Sequence, residues 1–190
     1  MKNVYLADVA DIFRGKAITK QDCIVDGNIK VLFISDFDEY GVNYDVPNSI
    51  NENERVVLRY MIKDGDIVFS NSCSQISFRT AIFKEQEKNY IASSNVNVIR
   101  PDKSKLNPIC LKLFLDSKTG KERLLGTTDE KEIVKLTPTS IIENFKIPLP
   151  DLEVQNRIAD EILVEFEKYK KTIFEIKNRW QAALKEIYKF

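Results

Sequence analysis

The sequence contains no histidine. That absence removes Ser-His-Asp and Cys-His catalysis, His-ligated zinc and an imidazole pH switch. Cysteine is scarce: Cys23, Cys73 and Cys110 are odd in number and too far apart for a C-x-x-C pair. This argues against a disulfide framework or a zinc site and fits a reducing compartment. The six glycines are scattered, and no G-x-G-x-x-G loop, G-x-x-x-x-G-K-[ST] loop or G-x-S-x-G elbow can be written from them. No stretch approaches the roughly 18 apolar residues of a membrane span. Asp8 and Asp11 fall where a signal peptide needs an apolar region. The sequence reads as a cytoplasmic chain with no membrane segment and no cofactor loop.

What is present is a chain of 190 residues, 43% apolar and 31% charged, which can bury a sizeable core. Its 29 basic and 29 acidic residues cancel, but they are segregated. Residues 22–66 hold ten acids against four bases. Residues 79–105 reverse the balance, with Arg79, Lys84, Lys88, Arg100, Lys103 and Lys105 outnumbering Glu85, Glu87 and Asp102. A basic face is therefore possible although the net charge is zero.

Two compositional regimes follow one another. In residues 1–150, short runs rich in Val, Ile and Phe (Ile29–Ser35, Asp66–Asn71, Thr80–Phe83, Tyr90–Arg100) alternate with turn signals and read as strands. Asp64-Gly65 is a tight-turn signal before one of them. Asn107-Pro108 predicts an N-cap with proline at the first helical position, and Ser140 to Glu143 has capping-box spacing. Ile147-Pro148-Leu149-Pro150 forces an extended segment, which sets the boundary of the first domain. Residues 151–190 contain neither Gly nor Pro. There Ala159, Ile162, Phe166, Tyr169, Ile173, Ile176, Trp180, Ala183, Ile187 and Phe190 recur at spacings of three and four, the stripe of a helix that packs on another helix. The expected fold is α+β: a β-rich domain with short helices, then one long helix forming a coiled-coil-like spacer and dimerisation arm. Ile162, Phe166, Tyr169, Ile173, Ile176, Trp180 and Ile187 are its expected dimer contacts. The competing expectation is a helix folded back on its own domain.

Three polar clusters could build a binding surface. They are Arg14-Gly15-Lys16 with Lys20, Ser70-Asn71-Ser72-Cys73-Ser74-Gln75, and Gly126-Thr127-Thr128 with Lys131 and Lys135. Their hydroxyl, amide and cationic groups are the types that reach phosphates and base edges, though each alone also reads as a solvated loop. Asp64 and Asp66 with Glu85 and Glu87 could supply ligands for a magnesium-dependent nuclease, but a hairpin turn explains the first pair equally well.

The order of segments resembles the target-recognition domains in specificity subunits of Type I restriction-modification enzymes. The resemblance runs through Asp8-Val9-Ala10-Asp11-Ile12, Arg14-Gly15-Lys16, Val31–Ser35 with Asp36, and Lys63-Asp64-Gly65-Asp66-Ile67-Val68. It continues through Ser94-Asn95-Val96 to Arg100-Pro101. It ends on Ile141, Asn144 and Ile147-Pro148-Leu149-Pro150, with Leu152, Gln155, Arg157 and Ile158-Ala159 opening the long helix. It departs from the family at Cys73-Ser74, where a Gly-Ser pair is usual, and in having one recognition domain and one long helix where complete subunits have two of each. The resemblance implies a half-size, non-catalytic DNA-binding subunit without a cofactor of its own. Its implied partners are double-stranded DNA, adenine methyltransferase subunits that use S-adenosylmethionine, a restriction motor subunit and a second copy of the chain. The DNA contacts it implies are Arg14, Lys16, Lys20, Asn71, Ser72, Ser74, Gln75, Arg79, Thr127, Thr128, Lys131 and Lys135. A protein-interaction module built on the same helix, and a metal-dependent nuclease, are the alternatives.

Overall fold

A computed structural model describes residues 2–126 and 129–188. Its centre is a four-stranded antiparallel sheet in the order Thr80–Ile82, Ile67–Ser70, Val96–Pro101, Ala10–Arg14. The two-residue period of a strand sorts its side chains. Ile67, Phe69 and Ile99 face one core together with Leu6, Leu111, Leu115, Ile141 and Ile147. Val68, Val96, Val98 and Ala81 face the other, with Leu32, Phe83 and Tyr90. A sheet buried on both faces accounts for the near-continuous apolar runs in its strands.

The second core is closed by another four-stranded sheet, ordered Ser49–Ile50, Ile29–Leu32, Asn89–Ala92, Met61–Ile62, in which Ile29–Leu32 and Asn89–Ala92 run parallel. The run from Tyr90 to Arg100, expected as one strand, is thus two strands in two sheets. Ser93-Ser94-Asn95 turns the chain between them, with the Val96 N–H donating to the Ser93 carbonyl at 2.9 Å. Gly15 turns the neighbouring strand over the same corner. A Cβ on Gly15 would lie 2.1 Å from the Ser93 carbonyl oxygen, so only glycine fits.

Gly65, at φ +85°, makes the expected turn before Ile67. The acids beside it are engaged: Asp66, 1% exposed, accepts from Arg100 Nε and Nη2 at 2.9 and 2.7 Å. Asp64 pairs with Lys103 at 2.8 Å. Among the described residues no group of three or more Cys, Asp or Glu side chains is placed to hold a metal ion.

The helices are α1 (Glu54–Val57), α2 (Pro108–Asp116), α3 (Lys118–Leu125), α4 (Pro138–Asn144) and α5 (Leu152–Tyr188). The Asn107 side chain caps α2 by accepting from the Ile109 N–H at 2.9 Å. The capping box of α4 lies one turn earlier than expected. Thr137 is the cap and Ser140 its reciprocal partner, because Pro138 starts the helix at its first position. Lys146–Leu149 is extended and pairs antiparallel with Lys2–Tyr5, so the proline segment leads straight from a sheet into α5.

Helix α5 has 37 residues, about 56 Å at 1.5 Å per residue. Its first turns are rooted in the domain through Gln155 and Ala159, both 1% exposed. Farther along, the Tyr169 ring lies 6.0 Å from the Tyr40 ring, and Lys177 Nζ stands 5.6 Å from the centroid of Tyr40. The helix therefore also touches its own domain. Most of the apolar stripe is nonetheless open: Tyr169 is 50%, Ile176 47%, Trp180 69% and Ile187 68% exposed, while Phe166 and Ile173 are half-buried. Phe190 lies outside the described residues. Among these residues no helix is long and apolar enough to cross a membrane.

Candidate nucleic-acid interface

A two-stranded ribbon, Ser72–Cys73 with Val134–Lys135, joins two of the polar clusters, with Lys135 opposite Ser72. Beside it the chain makes a compact turn. The Ser74 N–H donates to Ser77 Oγ at 2.9 Å, and the Phe78 N–H donates to the Ser74 carbonyl at 2.8 Å. The Ile76 N–H reaches the Glu130 carbonyl at 3.3 Å, and the Gln75 side-chain amide donates to the Gly126 carbonyl. Segment 70–79 thus forms one surface with Gly126 and residues 129–135.

The sheet corner adds the first cluster. Arg14 Nε donates to the Ser94 carbonyl, which also accepts from Asn71 Nδ2 at 3.0 Å. Around this surface Arg14, Ser72, Lys131 and Lys135 are exposed, and Gln75 and Arg79 are half-buried. Asn71 and Ser74 are instead buried, at 6% and 7% exposure. Asn71 binds backbone on every side: its N–H donates to Asn95 and its carbonyl accepts from Leu136. These two residues shape the surface from below. Arg79 is steadied by Glu39 at 3.2 Å and by the Ile76 carbonyl at 2.6 Å.

Lys16 and Lys20 lie away from the ribbon, on the side of the second sheet. Lys16 Nζ pairs with Glu52 at 2.9 Å, a hydrogen bond that lowers the Glu52 pKa below its ordinary value. Lys20 Nζ donates to Ser35 Oγ at 3.1 Å and stands over the Phe33 ring. Thr127 and Thr128 lie outside the described residues. Cys73, where the sequence departs from the usual Gly-Ser pair, is 3% exposed and fills the core beneath the ribbon. Burial pushes its thiol up to about 11, so it stays protonated at neutral pH.

Sequence patterns do not mark Ser77 and Glu39, which hold the surface in shape, and they mark Ser94 only as the start of a strand segment. Each acts on a residue distant in the chain or through a turn, and no local signal identifies such a partner.

The fold is matched elsewhere. The family model for the Type I restriction modification DNA specificity domain matches residues 1–184. No curated protein matches the sequence. Among solved structures, one from work on complex assembly and conformational transition of the type I R-M system shares 20% identity at a TM-score of 0.63, over 94% of this chain and 42% of that one. The HsdS subunit from Thermoanaerobacter tengcongensis shares 20% at 0.55, over 90% and 39%. The Type-I restriction-modification S subunit from M. genitalium shares 17% at 0.56, over 94% and 42%. The chain thus spans about two fifths of the length of these structures.

Proposed function

Because the chain belongs to the Type I restriction modification DNA specificity domain family, we propose that it is a specificity subunit that reads one half of a bipartite DNA site and docks adenine methyltransferase subunits. The observation that carries the DNA reading is the convergence of segment 70–79, Gly126 and residues 129–135 with Arg14 on one surface. Ser72 and Gln75 supply groups for base edges, and Arg14, Arg79, Lys131 and Lys135 supply charge for phosphates. Asn71 and Ser74 hold the surface in shape. Lys16 and Lys20 meet the flanking backbone, and Thr127 and Thr128 belong to the same segment as Lys131.

The chain needs no catalytic group of its own in this role. Methylation belongs to the docked subunits and cleavage to a motor subunit that joins them. The exposed stripe of α5 pairs with the same stripe of a second copy, through Ile162, Phe166, Tyr169, Ile173, Ile176, Trp180 and Ile187. Half-sites one helical turn apart are separated by about 34–36 Å, within reach of a helix about 56 Å long. The pair then reads a symmetric, interrupted site.

Affinity purification of the tagged chain from its native cells, with mass spectrometry of what accompanies it, tests the assembly. Stoichiometric recovery of an adenine methyltransferase is the expected result. Recovery of the chain alone would remove the docking role.

A further inference from the structure

Two adjoining depressions of about 270 and 280 Å³ lie between α3, α4 and the paired terminal strands. They share Arg123, Asn144 and Phe145. Lys135 and Ser140 line the first, and Asn3 and Lys146 the second. Among the described residues, no acid lines either one. Elsewhere Lys16, Arg79, Arg100, Lys103, Lys105 and Lys112 each hold a carboxylate, while Arg14, Lys20 and Lys30 bind neutral oxygens. Among the described residues, Arg123, Lys135 and Lys146 are in no ion pair.

The cations are also held in place. Arg123 lies over the Phe114 ring, its Cζ 5.7 Å from the centroid, and Phe114 in turn packs on Phe145 with ring centroids 6.2 Å apart. The Arg123 guanidinium reaches the Asn3 side chain and the Lys146 carbonyl, each at 3.5 Å. Lys146 Nζ stands 4.3 Å from the centroid of the Tyr5 ring. Aromatic faces favour cations above them, so both charges are oriented without being neutralised. At the other end Lys135 sits in the ribbon, opposite Ser72.

We infer that this groove is a phosphate track: it binds the DNA backbone that leaves the recognition surface, with Lys135, Arg123 and Lys146 on successive phosphates and the Asn144 and Asn3 side-chain amides donating between them. The inference rests on the DNA-reading role and adds a second region of DNA binding to it. Anionic oxygens spaced along a strand match a row of uncompensated cations in a concave channel lined without carboxylates. Such cations fix register without reading sequence.

The test is the salt dependence of binding of the full chain to two fluorescent duplexes, one of random sequence and one carrying its selected site. Each cation removed from a phosphate should flatten the log–log salt slope by about 0.9. Arg123→Gln combined with Lys146→Gln should therefore flatten it by nearly two, weaken both duplexes equally and leave their affinity ratio unchanged. Asn144→Asp, an isosteric change at an exposed position, places a carboxylate in the channel and should weaken both duplexes without altering the fold. Unchanged slopes in a chain that still prefers its site would overturn the phosphate track alone and assign the groove to a protein partner. Loss of site preference with an unchanged slope would make it a base-reading region and also overturn it. Failure of the unmodified chain to bind either duplex would remove the DNA-reading role and the groove with it.

Discussion

Gln155 Oε1 accepts the backbone N–H of Asn107 at 2.8 Å, while Gln155 Nε2 donates to the carbonyls of Lys105 and Pro150 at 3.0 and 2.8 Å. One buried amide therefore ties the first turn of the long helix to the start of α2 and to the proline segment before it. It joins the β-rich part of the chain to the long helix.

Gln155→Ala leaves one N–H and two carbonyls without that partner. Burying such groups unpaired costs about 1–3 kcal/mol each, reduced where water enters the gap. Chemical denaturation should show a loss of about 3 kcal/mol, and the helix should become more accessible to proteolysis near its root. An unchanged midpoint would mean that the joint is held without this amide, by packing of Ala159 and the hydrogen bond from Asn107 Nδ2 to Asn156 Oδ1 at 2.9 Å.

Acid stability should depend measurably on Asp102. Hydrogen bonds from the Ser104 hydroxyl, then from Lys105 and the Ser104 N–H, hold its carboxyl at about 2, below the ordinary 3.8. A carboxylate with a lower pKa folded than unfolded binds fewer protons in the native state, so stability rises with pH across that interval. The contribution is present above about 3.8 and is lost as the pH falls toward about 2. The melting temperature of Asp102→Asn should fall less steeply over that window than that of the unmodified chain. Equal slopes would contradict the assignment.

Much of this architecture is legible in the sequence, and the reasons are local. Asn107-Pro108, Asp64-Gly65 and the three-four spacing after Leu152 are short-range signals, and the structure has a capped helix, a turn and a long helix at those places. Tyr90 to Arg100 reads as one strand because both halves are apolar. What separates them is the corner at Ser93, which depends on Gly15, far away in the chain. The α4 cap reads one turn late because Ser140 and Glu143 fit the spacing, whereas Pro138 decides the start. At the candidate interface the residue types are readable but their exposure is not. Asn71 has the chemistry of a base reader, yet its carbonyl and amides are committed to Leu136, Asn95 and Ser94.

Roles within the interface should separate by substitution. Lys135→Ala should weaken binding to every sequence and reduce the salt slope by about one. Gln75→Ala should relax preference at one base pair by about 1–3 kcal/mol and leave the slope unchanged. Binding titrations at several salt concentrations read both quantities. Identical behaviour of the two variants would undo the division of roles.

The open stripe of α5 should drive self-association. Ile176→Asp and Trp180→Asp place a charge on side chains 47% and 69% exposed, where no core of the single chain is disturbed. Sedimentation equilibrium should give a dimer for the unmodified chain and a monomer for either variant, with matching circular dichroism. A monomeric unmodified chain at micromolar concentration would contradict pairing through this face.

Reading of DNA sequence by this surface is the role on which the others depend. Selection of duplexes from a randomised pool by the purified chain, followed by sequencing, tests it most directly. Enrichment of one site with two fixed half-sites and a spacer of constant length is the predicted result. Retention of the pool with no sequence enriched, at salt low enough for binding, would contradict it.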